Sequence, residues 1–418
     1  MLIKNEIPTE EPIISIGIVL PNDNQKTVDI FSTEKNKNYS ISVDDNKISM
    51  NNILYDILQL ENTVEDSYFI INPVTIGRGF HWGKKIKLKL PGNLEVKVSE
   101  NSLFVINHIK LETYLMCVAT SEMSSNCPPS FLASQTIAAR SWIIAASEQK
   151  HFELGIDACN DDCCQRYQGI GNLTHGSKLA TQSTRGKFLL HNDEICDTRY
   201  SKSCGGISED NENVWDEEPK KYLRSIFDGK ESIKPNFNNL DETKKWFNSQ
   251  PNCYCNEKHV NSKDLKKYIG KVDKKGNYFR WEFNYSIEEL TELVNEKLGY
   301  LFDLISSIKP LRRGKSGRIL ELKLEGVKNE NDHSVIIKSE YEIRRVLHPS
   351  FLYSSAFYIA ENFDSKNCLT KIKLKGGGWG HGVGLCQIGG IGMALKNKSA
   401  SEILSHYFPS SILKKLYD

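Results

Sequence analysis

Apolar and polar residues alternate over the first hundred positions of the chain. Lys85-Ile86-Lys87-Leu88-Lys89-Leu90 and Leu94-Glu95-Val96-Lys97-Val98 carry the two-residue period of half-buried strands, and Pro91-Gly92-Asn93 between them predicts a hairpin turn. The stretch from Ile13 to about Val98 is therefore expected to be β-rich. The period then lengthens: Leu111, Tyr114, Leu115 and Val118 fall on one helical stripe, Cys127-Pro128-Pro129 breaks it, and Phe131 to Ser147 reads as a second, Ala-rich helix. Together they predict a helical hairpin with Glu122 near the end of its first arm. Short strands and loops follow from about Gly155 to Arg224, then a polar stretch rich in Lys, Asn and Asp from about Asp228 to Lys275. Trp281 to Leu298 contains another amphipathic helix, Gly317 to Gly326 alternates as a strand, and the tail after Ser401 reads as helical. The pattern predicts an α+β fold in four segments: a β-rich N-terminal region (1–100), a first core half with the hairpin (101–227), a peripheral insertion (228–310) and a mixed β C-terminal half (311–418).

Composition narrows the function classes. The chain has 418 residues, 39% hydrophobic and 26% charged, which suits a folded protein of two or three domains. Lys and Arg number 54 against 53 Asp and Glu, so the net charge of +1 points to no nucleic-acid partner. No apolar run reaches the roughly 18 residues of a membrane helix. The opening Met1-Leu2-Ile3-Lys4-Asn5-Glu6, with Glu10 and Glu11 ahead of the first apolar stretch, shows no secretory signal. The 11 cysteines cannot all pair internally, and Cys159, Cys163 and Cys164, with His151 upstream, look like a metal or redox cluster rather than a disulfide framework. Four such ligands suit a tetrahedral zinc of structural type; buried free thiols and a disulfide formed after export stay open beside it. Adjacent Cys163 and Cys164 are hard to bring to one ion in a relaxed chain. Cys253 and Cys255 have no neighbouring ligand of clear spacing and receive no role.

The densest glycine segment is Lys375-Gly376-Gly377-Gly378-Trp379-Gly380-His381-Gly382-Val383-Gly384-Leu385-Cys386-Gln387. Its glycines allow close backbone approach to a bound chain, and Trp379 and His381 can stack on a sugar face and donate hydrogen bonds. It lacks the Gly-Lys-Ser/Thr of a phosphate loop.

Four blocks, in order, resemble the stage II sporulation protein D (SpoIID/LytB) family. They are Leu111 to Leu115 running on to Ser121-Glu122-Met123; Ser134 to Trp142; Tyr200-Ser201-Lys202-Ser203-Cys204-Gly205-Gly206 up to Trp215; and Gly378 to Gln387. Ser316-Gly317-Arg318, Ile343-Arg344-Arg345 and Ile403 to Pro409 add support, so the resemblance spans roughly residues 80 to 410. It implies a peptidoglycan lytic transglycosylase cutting the β-1,4 bond between N-acetylmuramic acid and N-acetylglucosamine, with an anhydro-muramic product and Glu122 as the catalytic acid. Gln135, Arg140, Ser201, Ser203, Trp379, His381 and Gln387 are implied as substrate-binding or site-supporting residues. A zinc on His151, Cys159, Cys163 and Cys164 is implied as structural, with no cofactor needed for catalysis. Here Cys163 stands where relatives carry His, and Cys204 where they carry a small hydroxyl residue. The implied workplace is the cell envelope, the implied partners glycan strands and a cell-wall amidase.

The chemistry is consistent with one carboxylate. Water-using glycosidases need two, but intramolecular capture by the muramic C6 hydroxyl needs a single Glu that first gives a proton and then takes one. Three other readings remain in view. A branch of the family enhances an amidase without cutting, although an enhancer needs no protonatable acid at position 122. A nucleophilic Cys204 with His381 would need an orienting Asn or Asp. A metal-dependent amidase would need an open coordination site, and no His-Glu-x-x-His occurs.

Overall fold

The computed structural model describes residues 2–3, 6–79, 82–145, 149–215, 217–269 and 278–418. The architecture is mixed α+β with a β-rich N-terminal region. Two compact units divide it: Met1–Asp197 with Lys267–Lys271 and Ile412–Asp418, and Thr198–Lys266 with Val272–Ser411. Among the described residues, no helix is long and apolar enough to cross a membrane.

In the first unit, strand β1 (Ile13–Val19) reads IISIGIV and is buried along all but its first residue. A run this apolar, interrupted only by Ser15 and Gly17, belongs in a strand covered on both faces. β1 lies in a five-stranded sheet in the order Ala158–Cys159, β1, β3 (Ser102–Lys110), β2 (Asn93–Ser99), Ile57–Leu60. A six-stranded antiparallel sheet ends on Lys84–Leu90. The hairpin predicted at Pro91-Gly92-Asn93 does not form. Lys84–Leu90 pairs with Phe69–Ile76 in the larger sheet, whereas β2 pairs with β3 and with Ile57–Leu60 in the other. Gly92 makes the corner: its φ is +79°, and a Cβ there would stand 2.4 Å from the His108 carbonyl oxygen. Alternation fixed which side chains face inward, but it carried no information about the partner strand.

β3 runs directly into helix α1 (Leu111–Glu122). The stripe Leu111, Tyr114, Leu115 and Val118 forms core, none of it more than 1% exposed. Helix α2 (Pro129–Ala145) begins on the second proline of the breaking segment, where a missing N–H costs nothing. The predicted end of this helix, at Ser147, falls among residues 146–148, outside the described residues. Most of α2 is buried all round, so its polar residues are carried inside with the apolar ones. The tail is helical only in part: after the helix Ala400–Tyr407, Ile412–Lys415 is a strand, antiparallel to Lys187–His191.

In the second unit, Trp281–Ser286 is a strand that hands over to the helix Ile287–Leu298, with Ser286 and Glu289 closing a reciprocal cap. Leu290, Val294, Phe302, Leu322 and Phe357 share its main core. In the polar stretch after Asp228, Trp246, Phe247, Cys253 and Cys255 are at most 4% exposed, and the two aromatics share a core with Ile207, Ala356 and Tyr358. Residues 270–277 of that stretch lie outside the described residues.

Candidate active site and cysteine clusters

Glu122 is the last residue of α1, half-buried, beside the fully buried Met123. Its Oε1 accepts the backbone N–H of Arg166 at 2.8 Å. The loop carrying Arg166 is stitched to the hairpin on both sides. Tyr114 Oη donates to Gln165 Oε1 at 3.1 Å, Gln165 Nε2 donates to the Ala139 carbonyl at 3.2 Å, and the Gln168 N–H reaches Ser121 Oγ at 3.3 Å. The Arg166 guanidinium forks onto Asp162 at 2.8 and 2.7 Å and lies 4.8 Å from the Trp82 ring. Asp161 accepts the N–H groups of Gly77 and Arg78 at 2.9 and 2.7 Å. The two aspartates near Glu122 are thus committed to internal partners.

The same loop starts in the first cysteine cluster. The ligand atoms of His151, Cys159, Cys163 and Cys164 all lie within 4.8 Å of one another. Cys159 and Cys163 sulfurs are 3.1 Å apart, and Cys163 Sγ is 3.8 Å from His151 Nε2. The adjacency of Cys163 and Cys164 proves no obstacle, because a turn closed by the Cys164 N–H on the Asp161 carbonyl, at 3.0 Å, brings both thiols to one side. The cluster favours one thiolate: the hydrogen bonds from Cys159 and then Cys164 hold the Cys163 thiol far below its ordinary range, while its role as donor to Cys163 pushes Cys159 up to about 12. Tetrahedral zinc with sulfur at about 2.3 Å needs ligand atoms about 3.8 Å apart, so this donor set fits such an ion in size and softness.

Arg140 and Gln135, expected to support the site or to contact sugar, are both 0% exposed in α2. Arg140 takes the supporting place. Its Nε and Nη2 fork onto Glu112 at 2.9 and 2.7 Å, and Nη1 donates to the Lys187 carbonyl at 3.1 Å. Glu112 also accepts the Tyr417 hydroxyl at 2.7 Å, so Arg140 clamps the helix pair to the C-terminal residues.

In the second unit the glycine-rich loop closes on its own protein. Ser203 and Trp379 exchange backbone hydrogen bonds of 3.0 and 2.8 Å. At Gly382 (φ +79°) a Cβ would meet the Arg318 guanidinium at 2.4 Å. Arg318, 0% exposed, donates to the Gly380 carbonyl at 3.2 and 3.0 Å. The close approach that the glycines permit is therefore to this arginine. His381 Nε2–H donates to the Tyr200 carbonyl at 3.0 Å, and Nδ1 accepts the Val383 N–H at 3.1 Å. Burial, then the positive charges of Arg199, Arg318 and Arg344, lower its pKa to about 3. Both nitrogens of this neutral ring are used by backbone, which leaves it neither a donor to a sugar nor a base for Cys204, itself buried. Trp379 is half-buried and stacks on Tyr278 at 4.6 Å with 15° between planes. Ser201 Oγ has no hydrogen-bond partner among the described residues, Ser203 Oγ accepts the Gly205 N–H at 3.4 Å, and Gln387 opens the helix Gln387–Ala394 at 1% exposure.

Sequence reasoning missed one constellation. Cys204, Asp228, Cys255 and Cys386 converge with all four ligand atoms within 4.8 Å. Its only local signal was the Cys253-x-Cys255 pair, whose neighbours come from distant segments.

The sequence profile described as stage II sporulation protein (SpoIID) matches residues 99–191, the part that holds α1, α2, Glu122 and the first cysteine cluster. Residues 99–191 of this chain therefore form a SpoIID-like segment. Beyond the SpoIID segment, residues 209–384 match a profile described as a domain of unknown function, DUF8618. An uncharacterized protein of Brachyspira hyodysenteriae is 26% identical over 319 residues, 76% of this chain and 70% of that relative. The amidase enhancer of Bacillus subtilis is 24% identical over 308 residues, 71% of this chain but 39% of the relative's own length. The chain therefore spans about two-fifths of that enhancer's length.

Proposed function

We propose that this protein is a peptidoglycan lytic transglycosylase with Glu122 as its one catalytic residue. The observation that carries the reading is the placement of Glu122: half-buried at a helix end, with Asp161 and Asp162 beside it already bound to backbone and to Arg166. With both aspartates engaged elsewhere, a mechanism that asks one carboxylate to do the proton transfers suits this site, and a reaction that uses no water is of that kind. Protonated Glu122 gives its proton to the glycosidic oxygen, the muramic C1–O bond breaks, and N-acetylglucosamine leaves as the free alcohol. The C6 hydroxyl of the same muramic residue then attacks C1, and its proton returns to the Glu122 carboxylate. The product is a 1,6-anhydro ring, and the acid is regenerated. The Arg166 N–H orients the carboxylate throughout.

A zinc on His151, Cys159, Cys163 and Cys164 would supply structural cross-linking. Those residues anchor the 160–168 loop that reaches Glu122. The workplace of this reaction is the cell envelope, where glycan strands lie.

A second reading, binding to wall or amidase without cutting, is favoured by the relative that bears the name amidase enhancer. One digestion separates the two. Wild-type protein incubated with purified, peptide-stripped peptidoglycan should release anhydro-muramic fragments detectable by mass spectrometry, and Glu122→Gln should release none while still pelleting with the wall. Pelleting without release by the wild type would leave the enhancer reading standing.

A further inference from the structure

The buried cluster in the second unit calls for a cation. Cys204 and Cys255 are 2% exposed, and Asp228 and Cys386 are 0% exposed. Burying a carboxylate among thiols is costly unless charge of opposite sign is placed between them. Among the described residues, Asp228 has no Lys or Arg at ion-pair distance; His406 Nε2 stands 3.6 Å from Oδ1. The polar groups around the cluster are arranged as for anionic ligands. Cys386 Sγ accepts the N–H groups of Cys204 and Gly389 at 3.2 and 3.4 Å, and Cys204 Sγ accepts that of Gly206 at 3.4 Å. Asp228 accepts the Cys255 N–H at 3.0 Å and the Tyr407 hydroxyl at 2.6 Å. Such outer partners orient first ligands and offset their charge. Space is reserved beside them as well: a Cβ on Gly389 would come within 2.7 Å of Asp228 Oδ2. The Cys204 and Cys255 sulfurs are 3.8 Å apart, the edge of a tetrahedron around one zinc and far beyond a disulfide bond.

We infer that Cys204, Asp228, Cys255 and Cys386 form a second metal site, closed and structural, for a divalent cation of the zinc class. Three thiolates disfavour magnesium and calcium, and four protein ligands from a sealed interior leave no position for water or substrate. The site ties the strand-end Cys386 and the Cys204 loop to the polar stretch that supplies Asp228 and Cys255. It joins segments up to 182 residues apart without a disulfide bond. On binding, each thiol yields its proton to solvent and the ion accepts a sulfur lone pair in its place.

Elemental analysis of the full chain, purified with reductant and zinc present, tests this. Wild-type protein is expected to hold about one metal equivalent that survives Cys163→Ala and is lost in Cys255→Ser and in Asp228→Asn. Asp228→Asn preserves shape and can keep the bond accepted from the Cys255 N–H while the Tyr407 hydroxyl turns to accept from Nδ2, so it reports on charge if the cysteine variant fails to fold. Alkylation of the native wild type gives an independent readout: Cys204, Cys255 and Cys386 should become reactive together as chelator withdraws that equivalent. Metal lost entirely with Cys163→Ala, three thiols whose reactivity ignores chelator, or a disulfide found among them would each overturn the inference.

Discussion

The helical hairpin of the first unit and the glycine-rich loop of the second both hold residues that look like chemistry, yet they use their polar atoms in opposite ways. At the hairpin and the loop packed on it, Asp161, Asp162 and Arg140 are engaged in internal pairs and Glu122 stays at a half-buried helix end. At the glycine-rich loop, His381 is half-buried as well, but both its ring nitrogens hold backbone, and the glycines give room to Arg318. The difference teaches that a residue's chemical promise depends on what its polar atoms are already bound to. The loop fits a scaffold, and the hairpin fits a working site.

The sharpest test of that contrast is a rate. Glu122→Gln should lower release of anhydro-muramic fragments by about 10²- to 10⁴-fold, the usual share of general acid–base catalysis, with little change in melting temperature. A rate loss as large from His381→Gln in a protein of unchanged stability would reverse the contrast. Next in size is the core of the hairpin. Arg140→Ala strands the Glu112 carboxylate and should cost about 3–5 kcal/mol in chemical denaturation. An effect on wall binding alone, with stability intact, would return Arg140 to the substrate.

His381 should behave as a stability residue with a pH signature. The folded ring stays neutral down to about pH 3, whereas an unfolded histidine takes up a proton near its ordinary 6.5. The unfolded state therefore holds the extra proton throughout that window. This contribution to stability is complete above pH 6.5 and falls with pH toward 3, by at most roughly 1.4 kcal/mol per unit. Thermal melts of wild type and His381→Gln across pH 4–7 should show a shallower slope in the variant; parallel slopes would sink the assignment. The smallest effect is expected at Lys202, whose ammonium is 5.9 Å from the Trp379 ring. Lys202→Ala should cost about 0.5–1 kcal/mol of stability if that pair acts only within the loop. A loss of glycan binding without loss of stability would instead make Trp379 and Lys202 a sugar platform.

The two cysteine clusters show how far each kind of site could be read in advance. His151 to Cys164 is one short segment, so its ligands were visible together, although the sequence could not show that a turn at Asp161 lets Cys163 and Cys164 point the same way. Cys204, Asp228, Cys255 and Cys386 come from four places along the chain. Apart, they read as a departure from a family motif, a polar lobe, an unassigned pair and the end of a glycine-rich run.

The sequence by itself determined the α+β class, the stripe that buries α1, the proline that starts α2 and the position of Glu122 at the end of the first arm. Each of these depends on residues a few positions apart, where periodicity and backbone chemistry act directly. Only the tertiary structure decided that the strands flanking Gly92 join different sheets, that Arg140 faces Glu112, and that His381 holds backbone with both nitrogens. Those outcomes are choices of partner across long stretches of chain, and a side chain's type limits the bonds it can make without saying which neighbour the fold will bring to it.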